Sequence, residues 1–162
     1  IFGVFSEAKR RAVRRAQKLG VVIRESDTIS DLIGIKNKSA GLLGFITTSG
    51  IRELWEVFAP EHAAILLGYH QETLVAGVLL IFWDGVSYYW IAGGTKGGKK
   101  VYAPTLLVWE ALRHSKQRGC TMFDLIGVWD ERIPKENTSW KGFTKFKEGF
   151  GGKTVYYPLV PH

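Results

Sequence analysis

Residues 86–127 read VSYYWIAGGTKGGKKVYAPTLLVWEALRHSKQRGCTMFDLIG, and their pattern decides the fold class. The first seven, VSYYWIA, are rich in aromatic and β-branched residues and read as a strand. GGTKGGKK, residues 93–100, breaks that pattern as a glycine- and lysine-rich loop. A helix then runs from Ala103 to Arg118. Pro104 suits its first turn, and Leu107, Val108, Ala111, Leu112 and Ser115 share one face. Gly119 ends it, and TMFDLIG, residues 121–127, returns to a strand pattern. A helix between two strands is a crossover, so strands 86–92 and 121–127 should lie parallel.

Upstream of the crossover the sequence reads as a meander. VVIRE (21–25), AAILLGY (63–69) and LVAGVLLIF (74–82) are strand patterns, and Asp84-Gly85 is a hairpin signal before the strand at 86. The central strands are apolar on both faces, so helices must cover them. Two helices read from the sequence at 28–40 and 48–58, the second carrying Leu54, Trp55 and Phe58. An earlier one, 7–19, is capped by Ser6 and stopped by Gly20. Its apolar face is Phe5, Ala8, Ala12, Ala16 and Leu19; Arg10, Arg11, Arg14 and Lys18 lie opposite. Downstream, 128–141 reads as a loop and TVYYPLV (154–160) as a closing strand. The expected architecture is α/β, a mixed sheet flanked by helices, with ligands at the carboxyl ends of the parallel strands.

The chain has 162 residues, 46% hydrophobic and 13% aromatic, with a net charge of +7. That suits one domain with a real core and argues against disorder. The positive charge suits a phosphate-bearing partner without choosing among nucleic acid, nucleotide and polyanionic precursor. Cys120 is the lone cysteine, which excludes a disulfide framework and a cysteine metal cluster and makes a reducing, cytoplasmic setting the default. No apolar run reaches the length of a membrane span. The opening Ile1-Phe2-Gly3-Val4 is apolar, lacks Met, and reads as a cut inside a longer protein.

Several chemistries find no residues here. There is no GxSxG elbow, no Walker loop and no CxxC pair. His62, His70, His114 and His162 have no metal-ligand spacing, so no metal is expected. Two cationic features remain open. The arginine row on helix 7–19, with Arg10 and Arg14, reads either as a solvated face or as a phosphate-facing ridge. Residues 93–100, with Lys99 and Lys100, read either as a flexible loop or as an anion cradle before a helix.

GFTKFKEGFGG, residues 142–152, carries the third. At helical spacing Phe143, Phe146 and Phe150 form a stripe, with Lys147 at its edge and Lys145 far around the helix. Lys147 therefore either snorkels along aromatic surface or delivers its charge into a partly dry pocket.

Four segments, in order, resemble the C-terminal half of the FemABX family, aminoacyl-tRNA-dependent transferases that build peptidoglycan bridges. They are SEAKRRAVRRAQKLGVVI, LVAGVLLIFWDGVSYYWIAGGT, YAPTLLVWEALRHSKQRGCTMFDLIG and GFTKFKEGFGGKTVYY. The last is similar to the family's Phe-Lys-x-Gly-Phe-Gly-Gly signature. The resemblance implies a GNAT-like (acyl-CoA N-acyltransferase) fold for residues 1–162 as a single domain, the second half of a two-half protein. It implies transfer of an amino acid from aminoacyl-tRNA to an amine of a peptidoglycan precursor, without metal or cofactor. The signature's Phe-Lys pair falls on Phe146 and Lys147, and the family's strand aspartate on Asp124; these three are the candidate catalytic residues. Arg10, Arg14, Tyr89, Lys99, Lys100, Tyr102 and Phe150 are the candidate substrate-binding residues. The sequence departs from the family in lacking the N-terminal half. GGTKGGKKVYAP also lacks the Arg/Gln-x-x-Gly-x-Gly/Ala loop of CoA-binding relatives. The alternatives are an acyl-CoA-dependent N-acyltransferase using acetyl-CoA on a small amine, and a non-catalytic basic RNA-binding module.

Overall fold

The computed structural model describes residues 1–40 and 48–159. They form two compact units: Ile1–Arg10 with the chain from Gly127 onward, and Arg11–Ile126. The larger unit holds the sheet. Its strands are β1 (Val21–Ser26), β2 (Ala63–His70), β3 (Thr73–Trp83), β4 (Val86–Gly94) and β5 (Met122–Asp124). They lie side by side in chain order. The first three pairings are antiparallel and β4–β5 is parallel, as a crossover connection requires. Both hairpins turn on two residues with positive φ, Gln71-Glu72 and Asp84-Gly85. That turn geometry matches the right-handed twist of the strands.

Helices cover both faces of the sheet. On one, Leu32 and Ile35 of α2 (Ile29–Ala40) pack with Ile65, Leu67 and Leu79, and Ile51 of α3 (Ile51–Phe58) joins them. On the other lies α5 (Ala103–Gln117), whose Leu107, Val108 and Ala111 are buried. Each aliphatic side chain fully removed from water contributes about 1.5–3 kcal/mol, so the apolar central strands are the main reason the unit holds together. One polar contact sits inside this core. The Ser87 and Ser115 hydroxyls are 2.7 Å apart, and Ser115 Oγ also lies 2.7 Å from the Ala111 carbonyl. Each hydroxyl carries one proton. The arrangement that satisfies both has Ser87 donating to Ser115 and Ser115 donating to Ala111.

The glycine- and lysine-rich stretch is more ordered than a loop. Gly93 and Gly94 finish β4, and Lys96–Lys100 form a short helix, α4. The Thr95 hydroxyl caps α4 by accepting from Gly98 N–H at 2.9 Å. Gly98 is buried against Val75, where a Cβ would stand 2.5 Å from the carbonyl oxygen. Only glycine lets the turn sit this close to the strand.

Three expected boundaries move. The helix expected over 48–58 begins at Ile51, after a turn. The strand expected over 121–127 is paired only at Met122–Asp124. The closing strand expected over 154–160 does not form: Thr154–Leu159 are irregular and exposed, and Val160 lies outside the described residues. Strand propensity has effect only where a partner ladder exists, and the smaller unit has no strand among its described residues. Arg132 Nη2 instead donates to the Tyr157 carbonyl at 3.0 Å.

The smaller unit is built on α6 (Lys141–Glu148) and the first turn of α1 (Glu7–Lys18), which continues into the larger unit. Ser6 Oγ accepts from Lys9 N–H at 3.3 Å, the expected N-cap. Ser6 N–H donates to the Gly149 carbonyl at 2.9 Å, and the Phe5 ring meets Phe150 edge-on at 5.0 Å. The inward stripe of α1 differs from the expected one. Ala8 and Leu19 are exposed, whereas Val13 and Ala16 are fully buried. Valine offers more apolar area than alanine, so the helix turns Val13 inward.

Candidate active site

In the larger unit, β4 and β5 pair only at Val86–Met122, Ser87–Phe123 and Tyr88–Asp124. Beyond Tyr88, β4 runs on to Gly94 with no strand on that side among the described residues. The β3–β4 register slips in the same place, with Leu79 opposite Ile91 and Leu80 opposite Tyr89. Trp90 is thus the extra residue of a bulge, and its side chain is exposed. The sheet therefore opens at the carboxyl ends of its two parallel strands, where α/β sheets place ligands.

The candidates of this unit fall around that opening in different roles. Asp124, the last residue of β5, accepts from Ile126 N–H at 2.6 Å through Oδ1. Ile126 has a φ of 53°, so the carboxylate holds a left-handed turn. Tyr89 is buried with its ring 6.0 Å from Phe123, and burial pushes its phenol well above the ordinary range. It acts as a core residue. Lys99 and Lys100 are exposed on α4. Tyr102 stands in left-handed conformation just before α5, its ring 5.5 Å from the Arg15 guanidinium. Arg14 is exposed on the outer side of α1.

In the smaller unit the α6 signature brings two cations onto aromatic rings. Phe146 and Phe150 meet at 5.1 Å, nearly perpendicular. Lys147 Nζ donates to the Gly127 carbonyl at 2.6 Å and lies 4.8 Å from the centre of the Phe143 ring. It sits in the last turn of α6, where the helix dipole favours a cation. The Trp140 ring lies close to Gly127, 2.9 Å from where an added Cβ would stand. The ammonium is thus held by a backbone carbonyl and by one ring of the expected stripe, Phe143.

The amine over the other two rings belongs to Lys9, a residue the sequence reading passed over. Its Nζ lies 3.7 Å from the centre of Phe146 and 4.7 Å from that of Phe150. Burial pulls its pKa down from 10.5 to about 8. The ring faces oppose that shift, but cation–π contacts at partly exposed sites contribute only about 0.5–1 kcal/mol. That is less than one tenfold step in proton affinity, about 1.4 kcal/mol, so desolvation prevails. The available signal was helical spacing: Lys9, Val13 and Ala16 are i, i+4 and i+7, one continuous stripe. Arg10, in the row read either as a solvated face or as a phosphate-facing ridge, is turned back instead. Its Nη1 donates to the Phe5 carbonyl at 2.8 Å and the Gly3 carbonyl at 3.1 Å.

Among the described residues no cluster of three histidine, cysteine, aspartate or glutamate side chains could hold a metal ion, and no helix is long and apolar enough to cross a membrane. His114 packs against Phe82, its ring 6.0 Å away, with its pKa lowered mainly by burial.

A sheet whose parallel strands part beside a bulge, flanked by helices, is the GNAT architecture. The chain belongs to the acetyltransferase (GNAT) domain family, whose model matches residues 5–142. Solved structures share the fold. FemX superposes with a TM-score of 0.71 at 15% identity, covering 93% of this chain and 55% of its own. The C-terminal domain of a putative lysylphosphatidylglycerol synthetase from Agrobacterium fabrum gives 0.65 at 14% identity, covering 91% of this chain and 51% of its own. An aminoglycoside N-acetyltransferase, AAC(6')-Iy, in complex with CoA gives 0.62 at 12% identity, covering 88% and 93%. The chain therefore spans about half the length of FemX. No curated protein matches it by sequence.

Proposed function

We propose that this chain is an N-acyltransferase module that moves an amino acid from aminoacyl-tRNA to an amine of a peptidoglycan precursor. It would serve as the second half of a longer two-half protein. The observation that carries the reading is the ammonium of Lys147, held at the end of α6 by the Gly127 carbonyl and beside the Phe143 ring. The donor ester is already activated. The protein has to align two reactants and stabilise the oxyanion formed when the amine attacks the ester carbonyl. A fixed cation does the second task, because a preorganised charge stabilises the oxyanion without reorganising as it forms. No metal, cofactor or covalent intermediate enters this scheme. Phe146 shapes the signature helix, Asp124 holds the turn after β5, and Arg14, Lys99 and Lys100 are exposed cations for tRNA phosphates. The order of the four motif segments supports this donor, and the likeness to FemX across 93% of the chain supports the fold the reading needs.

A second reading has its own observation: the family is one of acetyltransferases, and the likeness to AAC(6')-Iy extends over 93% of that protein. It makes acetyl-CoA the donor and a small amine the acceptor. One experiment separates them. The chain is incubated with labelled aminoacyl-tRNAs and a peptidoglycan precursor pool, and in parallel with acetyl-CoA and amines, and the acceptors are weighed by mass spectrometry. Aminoacylated precursor supports the first reading and acetylated amine the second. Salt-dependent tRNA binding that ignores charging, with no transfer from either donor, refutes both.

A further inference from the structure

We propose that Lys9 is a covalent acyl-acceptor site of this chain, a lysine that takes an acyl group from an activated thioester. The geometry singles it out. Its stem runs close over Gly149: a Cβ there would stand 2.7 Å from Cε and 2.9 Å from Cγ of Lys9. Its amine rests on the faces of Phe146 and Phe150, and no hydrogen bond or ion pair to it is formed among the described residues. Lys147, by contrast, donates a hydrogen bond to the Gly127 carbonyl.

The charged groups around the stem do not bind the amine. On α1, Arg10 is turned to the Phe5 and Gly3 carbonyls, and Glu7 is exposed. On α6, Lys145 and Glu148 are exposed, and Lys147 is tied to Gly127. Desolvation therefore outweighs the ring faces in setting the proton affinity of Lys9, which falls to about 8. At pH 8 about half of such amines are neutral, against about one in three hundred for a lysine at 10.5.

The neutral nitrogen supplies its lone pair to the thioester carbonyl carbon. The N–C bond forms and the C–S bond breaks. The thiolate leaves and takes up the proton that the nitrogen loses, giving an amide and a free thiol. No oxidant, metal or other group takes part. The product is neutral, so modification removes the cation from the aromatic faces. The step asks only for a nucleophilic amine, so it stands whether or not the chain transfers acyl groups to other acceptors.

The test uses the unmodified full chain. It is incubated with acetyl-CoA between pH 6 and 10.5, digested, and acetylation of each lysine is followed by peptide mass. Lys9 is expected to be acetylated at least about tenfold faster than the exposed Lys18 and Lys145 at pH 8. Its rate should level off above about pH 8. The same order is expected with acetic anhydride, which needs no binding site. Labelling of Lys9 no faster than Lys18 and Lys145 overturns the proposal. So does a Lys9 rate that keeps climbing to pH 10.5.

Discussion

Replacing Lys9 by methionine tests the desolvated amine through stability. Methionine keeps an unbranched stem over Gly149 and places a thioether, which aromatic rings also favour, over Phe146. The substitution removes the cost of holding a charge in a half-buried position, and with it the cation–π attraction of about 0.5–1 kcal/mol. The amine is nearly half exposed, so solvent screening reduces the desolvation cost well below what the pKa alone suggests. The two effects leave a net stabilisation of about 1 kcal/mol at pH 7, which raises Tm by about 2–4 °C for a chain of this size. The sign of the pH dependence follows from linkage. The folded pKa, about 8, lies below the ordinary 10.5, so between those values the unfolded chain binds more protons. The wild-type chain therefore gains stability as pH rises through that window. Thermal unfolding followed by circular dichroism at pH 7, 8, 9 and 10.5 should show Lys9→Met ahead at pH 7 and the gap closing by pH 10.5. A methionine variant that is less stable at pH 7, with a gap independent of pH, refutes the desolvation argument.

Two further outcomes concern the sheet unit. Ser115→Ala leaves the buried Ser87 hydroxyl without its acceptor and should cost about 1–3 kcal/mol. Ser87→Ala leaves Ser115 bonded to Ala111 and should cost less than about 1 kcal/mol, and urea unfolding of the two variants measures the difference. Gly98→Ala drives a Cβ against the Val75 carbonyl. It should lower stability by more than about 2 kcal/mol in the same assay, whereas Gly97→Ala, at an exposed neighbour, should cost far less.

The crossover was legible because its signals agree. Strand composition at 86–92, Pro104 in the first turn, the apolar face from Leu107 to Ser115 and Gly119 at the end all point to one parallel pair. The hairpin at Asp84-Gly85 was legible for the same reason, since few turns accept that dipeptide. What the sequence concealed depended on partners. Thr154–Leu159 has the composition of a strand but no edge to join. The lysine-rich run after β4 owes its helix to Thr95 and to the close approach of Gly98 to Val75, neither visible in composition. The site was legible in outline only. The α6 signature led to Lys147 and its aromatic setting, but arginines conspicuous as a row drew notice away from Lys9. Its position four residues before Val13 and seven before Ala16 carried the information. Asp124, a candidate catalytic residue by resemblance, accepts from Ile126 N–H and so holds the turn after β5, a bond that no sequence pattern displays.

The most direct measurement of the central claim is acyl transfer by Lys147→Met, assayed with aminoacyl-tRNA and the precursor pool beside the wild-type chain. Loss of one preorganised oxyanion donor predicts a fall of about 100-fold or more in turnover, with a circular dichroism spectrum like that of the wild type. Transfer at the wild-type rate by a folded Lys147→Met chain would contradict the account.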